Sequence, residues 1–571
     1  MSRAAGNAGR SAGRAVRAVI ACLCVARAEA AAENLAVKRL LPAGGMAGGT
    51  VVVKAEGTFP RWPVRVWTDR GGTAWKPLEE KGSFEVAVAA AGSLGVHTVR
   101  IHDDQEAAAV HRFVVGAVPE VMEAEPNDRP QEPQAVSTLP VTVNGVLEKA
   151  GDVDGYAVQL AAGQSLVAAI DAHGGPGSPL DAVLELVDER GGYLARNLDA
   201  RGLDPRIVFK APRDGRYVVR VYGFPSDPNQ TIGYSGGPDH VYRLTMTTGG
   251  FVAAAIPAAV SRSGTTTLVA SGWNLPADVG SVSVAPADAA AAGATHAAWI
   301  GFPGAAGTVE LPVVAAERLP VAVQDATAAI EPPLVVSGLF TAADQQFVER
   351  ITATKAQPLL VAVEANAAGS DAEAVLDIRA ADGRSLLSKS DRDAAVVWTP
   401  PADGDYALAV RDRRGGFGPG HVFRISVVPS EPAVAATCEP DAVAGKIGGT
   451  VDLAIAVERL RGWKEPVEFT LVDPPAGITA DPVVSAVEGE SAKKVTLAIK
   501  AGAAYAGPVT VAARRPAAAD KGADTAGDKA GDKAGQTVAA VGFGKRKLPQ
   551  VWLTIPPEKP PEQPAAAAPK P

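Results

Sequence analysis

The feature that most limits what this chain can fold into is its internal repetition. Residues 42–57 (PAGGMAGGTVVVKAEG) align without gaps on residues 257–272 (PAAVSRSGTTTLVASG) at a constant offset of 215, with a proline, two glycines, a threonine and two alanines in register. A second pair is longer, at an offset of about 193: Asn144-Gly145-Val146-Leu147 matches Ser337-Gly338-Leu339-Phe340, and Ala182-Val183-Leu184 matches Ala374-Val375-Leu376. Further on, Asp214-Gly215-Arg216-Tyr217 recurs as Asp403-Gly404-Asp405-Tyr406, and His240-Val241-Tyr242-Arg243 as His421-Val422-Phe423-Arg424. Gly448-Gly449-Thr450-Val451 then repeats Gly48-Gly49-Thr50-Val51. The chain reads A-B-A′-B′-A″, which predicts an array of similar modules, each with its own core.

The local pattern is that of strands. Tyr217-Val218-Val219-Arg220-Val221-Tyr222 and Val495-Thr496-Leu497-Ala498-Ile499 alternate or stay β-branched, and Gly, Pro, Asp or Asn closes such runs within about ten residues. Alanine is abundant, but glycine and proline interrupt nearly every alanine-rich stretch before three helical turns could form. The expected class is all-β, a tandem array of β-sandwiches of Ig-like and jelly-roll-like type. The expected division is a signal peptide at 1–32, Ig-like sandwiches at 33–119 (A) and 249–330 (A′), and a third at 430–556 (A″). Between them lie B at 120–248 and B′ at 331–429. A low-complexity stretch at 515–547 is expected to be a disordered insert within A″, with Val551–Ile555 closing the sandwich, and residues 557–571 form a Pro/Ala-rich tail.

The first residues carry Arg3, Arg10, Arg14 and Arg17, then the apolar run 18–26, then small residues near 28–32. That order is a secretory signal pattern, and the apolar run is too short for a bilayer core, which needs about 20 apolar residues. Arg17 lies too close to Cys22 for a lipoprotein signal. Cleavage after Ala32 removes Cys22 and Cys24, leaving Cys438 as the lone cysteine and no internal disulfide. It also leaves 50 basic against 62 acidic residues, a net charge of −12, which disfavours nucleic acid as a partner. A secreted protein is expected, extracellular, periplasmic or on the cell surface, with no transmembrane segment after the signal.

One segment carries candidate chemistry. Glu123-Ala124-Glu125-Pro126-Asn127-Asp128 lies at the start of module B, and Gly151-Asp152-Val153-Asp154-Gly155-Tyr156 comes about 25 residues later. Residues two apart on a strand share a face, so Glu123 pairs with Glu125 and Asp152 with Asp154. Brought together, these residues offer five carboxylates and one amide, hard oxygen donors of the kind calcium takes six to eight of. The plainer reading is an acidic, solvated linker beside a polar turn.

The motifs Glu125-Pro126-Asn127-Asp128, Gly151–Tyr156 and Asp214-Gly215-Arg216-Tyr217-Val218-Val219, in that order, resemble those of the bacterial pre-peptidase C-terminal domain family. The resemblance covers residues 120–248, with a weaker echo at 331–429. It implies a small jelly-roll-like sandwich with a non-catalytic accessory role. It also implies calcium ligands at Glu123, Glu125, Asn127, Asp128, Asp152 and Asp154, as in collagenase relatives; residues that contact collagen have no match here. No peptidase domain lies upstream, only module A, which is similar to Ig-like or IPT-like modules of bacterial surface proteins. Module B′ begins Glu331-Pro332-Pro333 without the Asn-Asp pair and has Asp344-Gln345-Gln346-Phe347 where B has Asp152-Val153-Asp154-Gly155-Tyr156, so it is expected to keep the fold and lack the metal.

Other patterns carry less. Gly233-Tyr234-Ser235-Gly236-Gly237 fits a nucleophile elbow, but Pro238 and a strand follow where a helix is needed. The seven histidines have no zinc-binding spacing, and Asn229-Gln230-Thr231 is a glycosylation sequon. Trp62, Trp67 and Trp75 suit core and edge packing better than a ligand platform. The expected function is non-catalytic binding or scaffolding through an extracellular protein or polysaccharide ligand, with calcium as cofactor. The alternative is an accessory chain for a separately encoded hydrolase.

Overall fold

The computed structural model describes residues 34–225, 233–277, 279–286, 297–316, 319–322, 324–391, 393–516 and 536–558. The expected signal peptide, the sequon at 229–231 and most of the tail lie outside the described residues. The fold is built from strands joined by turns, and no helix among the described residues is long and apolar enough to cross a membrane.

Period-two alternation produces the cores. Along Thr450–Leu460 the side chains alternate exposed and buried, so Val451, Leu453, Ile455 and Val457 all face one interior. Each repeat unit surrounds its own cluster of buried side chains. Val53, Phe84, Val99 and Phe113 centre module A; Val143, Tyr156, Leu184 and Val219 centre B; Val361, Leu376, Leu408 and Phe423 centre B′. Smaller and larger clusters fill A′, around Leu268 and Leu311, and A″, around Leu453 and Phe469.

Modules B and B′ share one topology. In B, a five-stranded sheet runs in the order Gln134–Ala135, Val153–Leu160, Gly215–Gly223, Ala182–Asp188, Tyr193–Asn197. Facing it is the sheet Arg206–Lys210, Ser165–Asp171, Val241–Thr247, Val141–Val146, Glu120–Met122. B′ repeats the first order with Asp325–Ile330, Gln346–Ala353, Gly404–Asp412, Ala374–Arg379 and Ser385–Ser390, so it begins before the expected boundary at 331. It repeats the second with Asp393–Trp398, Leu359–Glu364, Val422–Pro429 and Leu334–Leu339.

The expected disordered insert needs correcting at its C-terminal end. Thr537–Phe543 is a strand, parallel to Ala433–Cys438 and antiparallel to Tyr505–Arg514, with Val541 and Phe543 fully buried. The alternating apolar run Val538–Phe543 wins there over the low-complexity sequence before it. Residues 517–535 lie outside the described residues. Cys438 is a buried free thiol.

Polar side chains tie the modules together. Arg39 of A donates to the Pro238 carbonyl of B at 2.9 Å and pairs with Glu56 at 2.7 Å. Arg206 of B, almost fully buried, makes a two-oxygen ion pair with Asp371 of B′ at 2.6 and 2.7 Å and lies over the Trp273 ring of A′. The last module returns to the first: Trp67 meets Trp552 edge-on at 5.9 Å, and Arg100 reaches Asp441 at 3.5 Å.

Candidate metal centre

The second acidic motif lies where Val153–Leu160 begins, and the first lies on the connection that follows Glu120–Met122. Glu120–Met122 pairs in parallel with Val141–Val146, which aims the connection across the end of the sandwich. There the Gly155 N–H donates to the Asn127 carbonyl at 3.1 Å, stitching one motif to the other. One carboxylate oxygen each from Glu125, Asp128, Asp152 and Asp154 then lies within 4.8 Å of the others. Glu125 and Asp128 are exposed and Asp152 and Asp154 buried, so the cluster has an open side and a closed one.

Glu123 and Asn127 stand outside that group of four. Both oxygens of Glu123 accept the Val146 N–H at 3.0 Å, and one lies 3.3 Å from the Tyr242 hydroxyl oxygen. Asn127 is fully buried, and neither its Oδ1 nor its Nδ2 has a hydrogen-bond partner. Asp152 accepts the Glu148 N–H through Oδ2 at 2.6 Å, with Lys149 Nζ 3.8 Å from its Oδ1. Tyr242 donates to Asp154 Oδ2 at 2.5 Å and is hydrogen-bonded to the Tyr156 hydroxyl, while Asp154 Oδ1 has no hydrogen-bond partner. The two phenols went unrecognised in the sequence as part of the site. Their signal was the change from Tyr242 to Phe423 in an otherwise matching repeat.

The electrostatics follow from this crowding. Two unit charges 4 Å apart repel by roughly 4 kcal/mol near a protein surface. Burial first, and then the charge of Glu123, pushes the Asp154 carboxyl up to about 9. Burial likewise raises Glu123 to about 7, against the Val146 N–H bond. Glu125 is raised by desolvation and then by Asp128 and Asp152. Asp154 therefore favours its protonated form near neutral pH, and a cation bound there would favour the ionised one.

The donor set suits calcium. It consists of hard oxygens, several of them carboxylate, and the buried Oδ1 atoms of Asn127, Asp152 and Asp154 lack hydrogen-bond partners. Neither cysteine nor histidine belongs to the cluster, which argues against a site tuned for zinc. Ser235 makes an isolated bridge with Gly223 and is followed by the strand Val241–Thr247 with no intervening helix, so it is no nucleophile elbow.

Fold and site together define a protein of linked β-sandwiches, one of which carries a partly buried carboxylate centre. That sandwich is of the pre-peptidase type: residues 152–223 match the bacterial pre-peptidase C-terminal domain. Over 98 residues the chain is 38% identical to a probable subtilase-type serine protease of Deinococcus radiodurans, covering 17% of this chain and 14% of that protein. Among solved structures, the pre-peptidase C-terminal domain of collagenase from Bacillus anthracis aligns over 21% of this chain and 100% of its own. The identity is 20% and the TM-score 0.16. Escherichia coli alpha-2-macroglobulin activated by porcine elastase aligns over 84% of this chain and 51% of its own, at 12% and 0.13.

Proposed function

We propose that the chain is an exported, non-catalytic binding or scaffolding protein whose module B is stabilised by calcium held by Glu125, Asn127, Asp128, Asp152 and Asp154, with Glu123 alongside. The observation that carries the reading is the pairing of buried, unpartnered oxygens on Asn127, Asp152 and Asp154 with the exposed carboxylates of Glu125 and Asp128. A cation there neutralises repulsion that otherwise burdens the fold. The residues themselves supply rigidity: Gly155 fixes Asn127 through the backbone, and Tyr242 holds Asp154 at one oxygen. The signal-like N-terminus supports action outside the cytoplasm.

The test is isothermal titration of calcium into the full chain. One site is expected for the wild type and none for Asp152→Ala. No heat at millimolar calcium would sink the calcium reading.

A second reading is favoured by the matched stretch of a serine protease. In it the chain serves a separately encoded secreted hydrolase as an accessory. Co-purification of such a hydrolase from the native secretome would support it, and recovery of the chain alone would count against it.

A further inference from the structure

The first, third and last sandwiches meet around a cavity of about 380 Å³, whose walls include Trp67, Arg70 and Arg112 of A, Trp299 and Glu310 of A′, and Trp552 of A″. Beside it lies a second space of about 520 Å³ that shares Thr98, Arg112, Leu548 and Pro549 and adds Arg546 and Lys547. Together the two cavities present five basic side chains, Arg70, Arg100, Arg112, Arg546 and Lys547, against two acidic ones, Asp69 and Glu310. The chain as a whole has a net charge of −8, so this cleft runs against the overall balance.

Two of the guanidinium groups face acids only at a distance, Arg546 towards Asp441 and Arg112 towards Glu310. Arg112 gives one N–H to the Gly174 carbonyl at 2.9 Å, and Arg546 gives one to the Val110 carbonyl at 3.3 Å. Neither forms an ion pair with a carboxylate among the described residues, whereas Arg100 has Asp441. They lie side by side: a methyl group on Gly177 would sit 3.1 Å from Arg546 Nη2 and 3.5 Å from Arg112 Cδ. Burial, and then the charge of Arg112, lowers the Arg546 pKa, with Asp441 acting the other way. Trp67 and Trp299, both half-buried, add aromatic surface to the same cleft.

We propose that this cleft between the first, third and last sandwiches binds an acidic polysaccharide, with uronate carboxylates taken by Arg112 and Arg546 and sugar faces by Trp67 and Trp299. Guanidinium forks match planar carboxylates, and indole rings pack on apolar faces while tolerating polar groups at their edges. A nucleic acid carries one charge per about 1.7 Å of duplex, a density that two neighbouring cationic side chains do not match. A uronate polymer spaces its charges by whole sugar rings, which suits two cationic side chains flanked by aromatic ones. The inference names a partner class for the proposed binding role and rests on that role, but not on the calcium centre, to which none of these residues belongs.

The test is affinity electrophoresis of the full chain in gels containing polygalacturonate, dextran or poly-glutamate, with tryptophan fluorescence as a second readout. Polygalacturonate is expected to retard the protein and quench its fluorescence, dextran to do neither, and poly-glutamate to act far more weakly. Replacing Arg112→Gln and Arg546→Gln together should weaken binding at least about tenfold, the equivalent of one lost charge-assisted contact. Trp67→Ala should act similarly; if it loosens the contact with Trp552, the arginine pair carries the test, with an unchanged melting midpoint as its control. The proposal is overturned by an unretarded wild type, by equal retardation in poly-glutamate, or by unaltered binding in the double variant. New reducing ends accompanying retardation would support the cleft while refuting the non-catalytic reading, and the calcium titration tests the metal centre separately.

Discussion

Modules B and B′ are the same fold solved with two different interiors at one end. Leu160 faces Gly215 in B as Ala353 faces Gly404 in B′, so six residues back along the strand Asp154 corresponds to Phe347 and Asp152 to Gln345. Likewise Tyr242 faces Gly145, and Phe423 faces Gly338. Where B has a carboxylate held by a phenol, B′ has two phenylalanines with ring centroids 5.1 Å apart, and Phe340 completes the cluster. The glycine is kept in both because an aromatic ring lies over it, leaving no room for a Cβ. The lesson is that the acidic end of B is not needed to fold this sandwich. An apolar core does the same structural task, so the polar version of B has another reason to exist.

The comparison breaks most sharply at Phe347. Phe347→Asp places an uncompensated carboxylate among Phe340 and Phe423, and about 3–5 kcal/mol of stability should be lost in a denaturant titration. A loss below about 1 kcal/mol would mean that B′ retains a polar end after all.

The converse exchange is Asp154→Phe with Tyr242→Phe, which gives B the interior of B′. Wild-type protein at a calcium concentration 100 times its dissociation constant should gain about 2.7 kcal/mol by mass action. The double variant should gain none and be as stable in chelator as the wild type, or more so. Persistence of the calcium effect would remove Asp154 from the centre.

Acidity sharpens the contrast further. Glu123 and Asp154 sit at about 7 and about 9 in the metal-free fold, against an ordinary carboxylate value near 4 when unfolded. Acids raised in this way bind protons more tightly folded than unfolded. Their contribution is therefore fully present below about pH 4 and is lost as pH rises through 7 towards 9. Melting scans in chelator should show this decline in the wild type, and a smaller one in the double variant.

The smallest expected effect is that of Tyr242→Phe alone. It removes the hydroxyl that serves both Asp154 and Tyr156 and should cost about 1–3 kcal/mol in the metal-free protein, read by the same denaturant titration.

The all-β class and the pre-peptidase character of the second module were legible in the sequence, because alternation and turn residues act locally. The two halves of the acidic motif were legible as residue types, but not by strand periodicity, because Glu123–Asp128 lies on a connection and Asp152 just before the strand Val153–Leu160. The register of B′ was not. The sequence aligns Asp344-Gln345-Gln346-Phe347 with Asp152–Tyr156, yet ladder pairing makes Phe347 the equivalent of Asp154. Contacts between modules were also invisible. Trp62 and Trp75 pack against Phe84, the core packing expected of them, but Trp67 meets a tryptophan from the far end of the chain. Isolated side chains at such contacts carry no period to read.

That return of the last sandwich onto the first has a consequence in time. Arg100 waits for Asp441, and the Val110 carbonyl for Arg546, each more than 300 positions later in synthesis. Early modules can take shape as they emerge, but the arginine-lined cleft comes into being only when the final strands arrive. A chain cut short after B′ would keep its acidic centre and have no cleft at all.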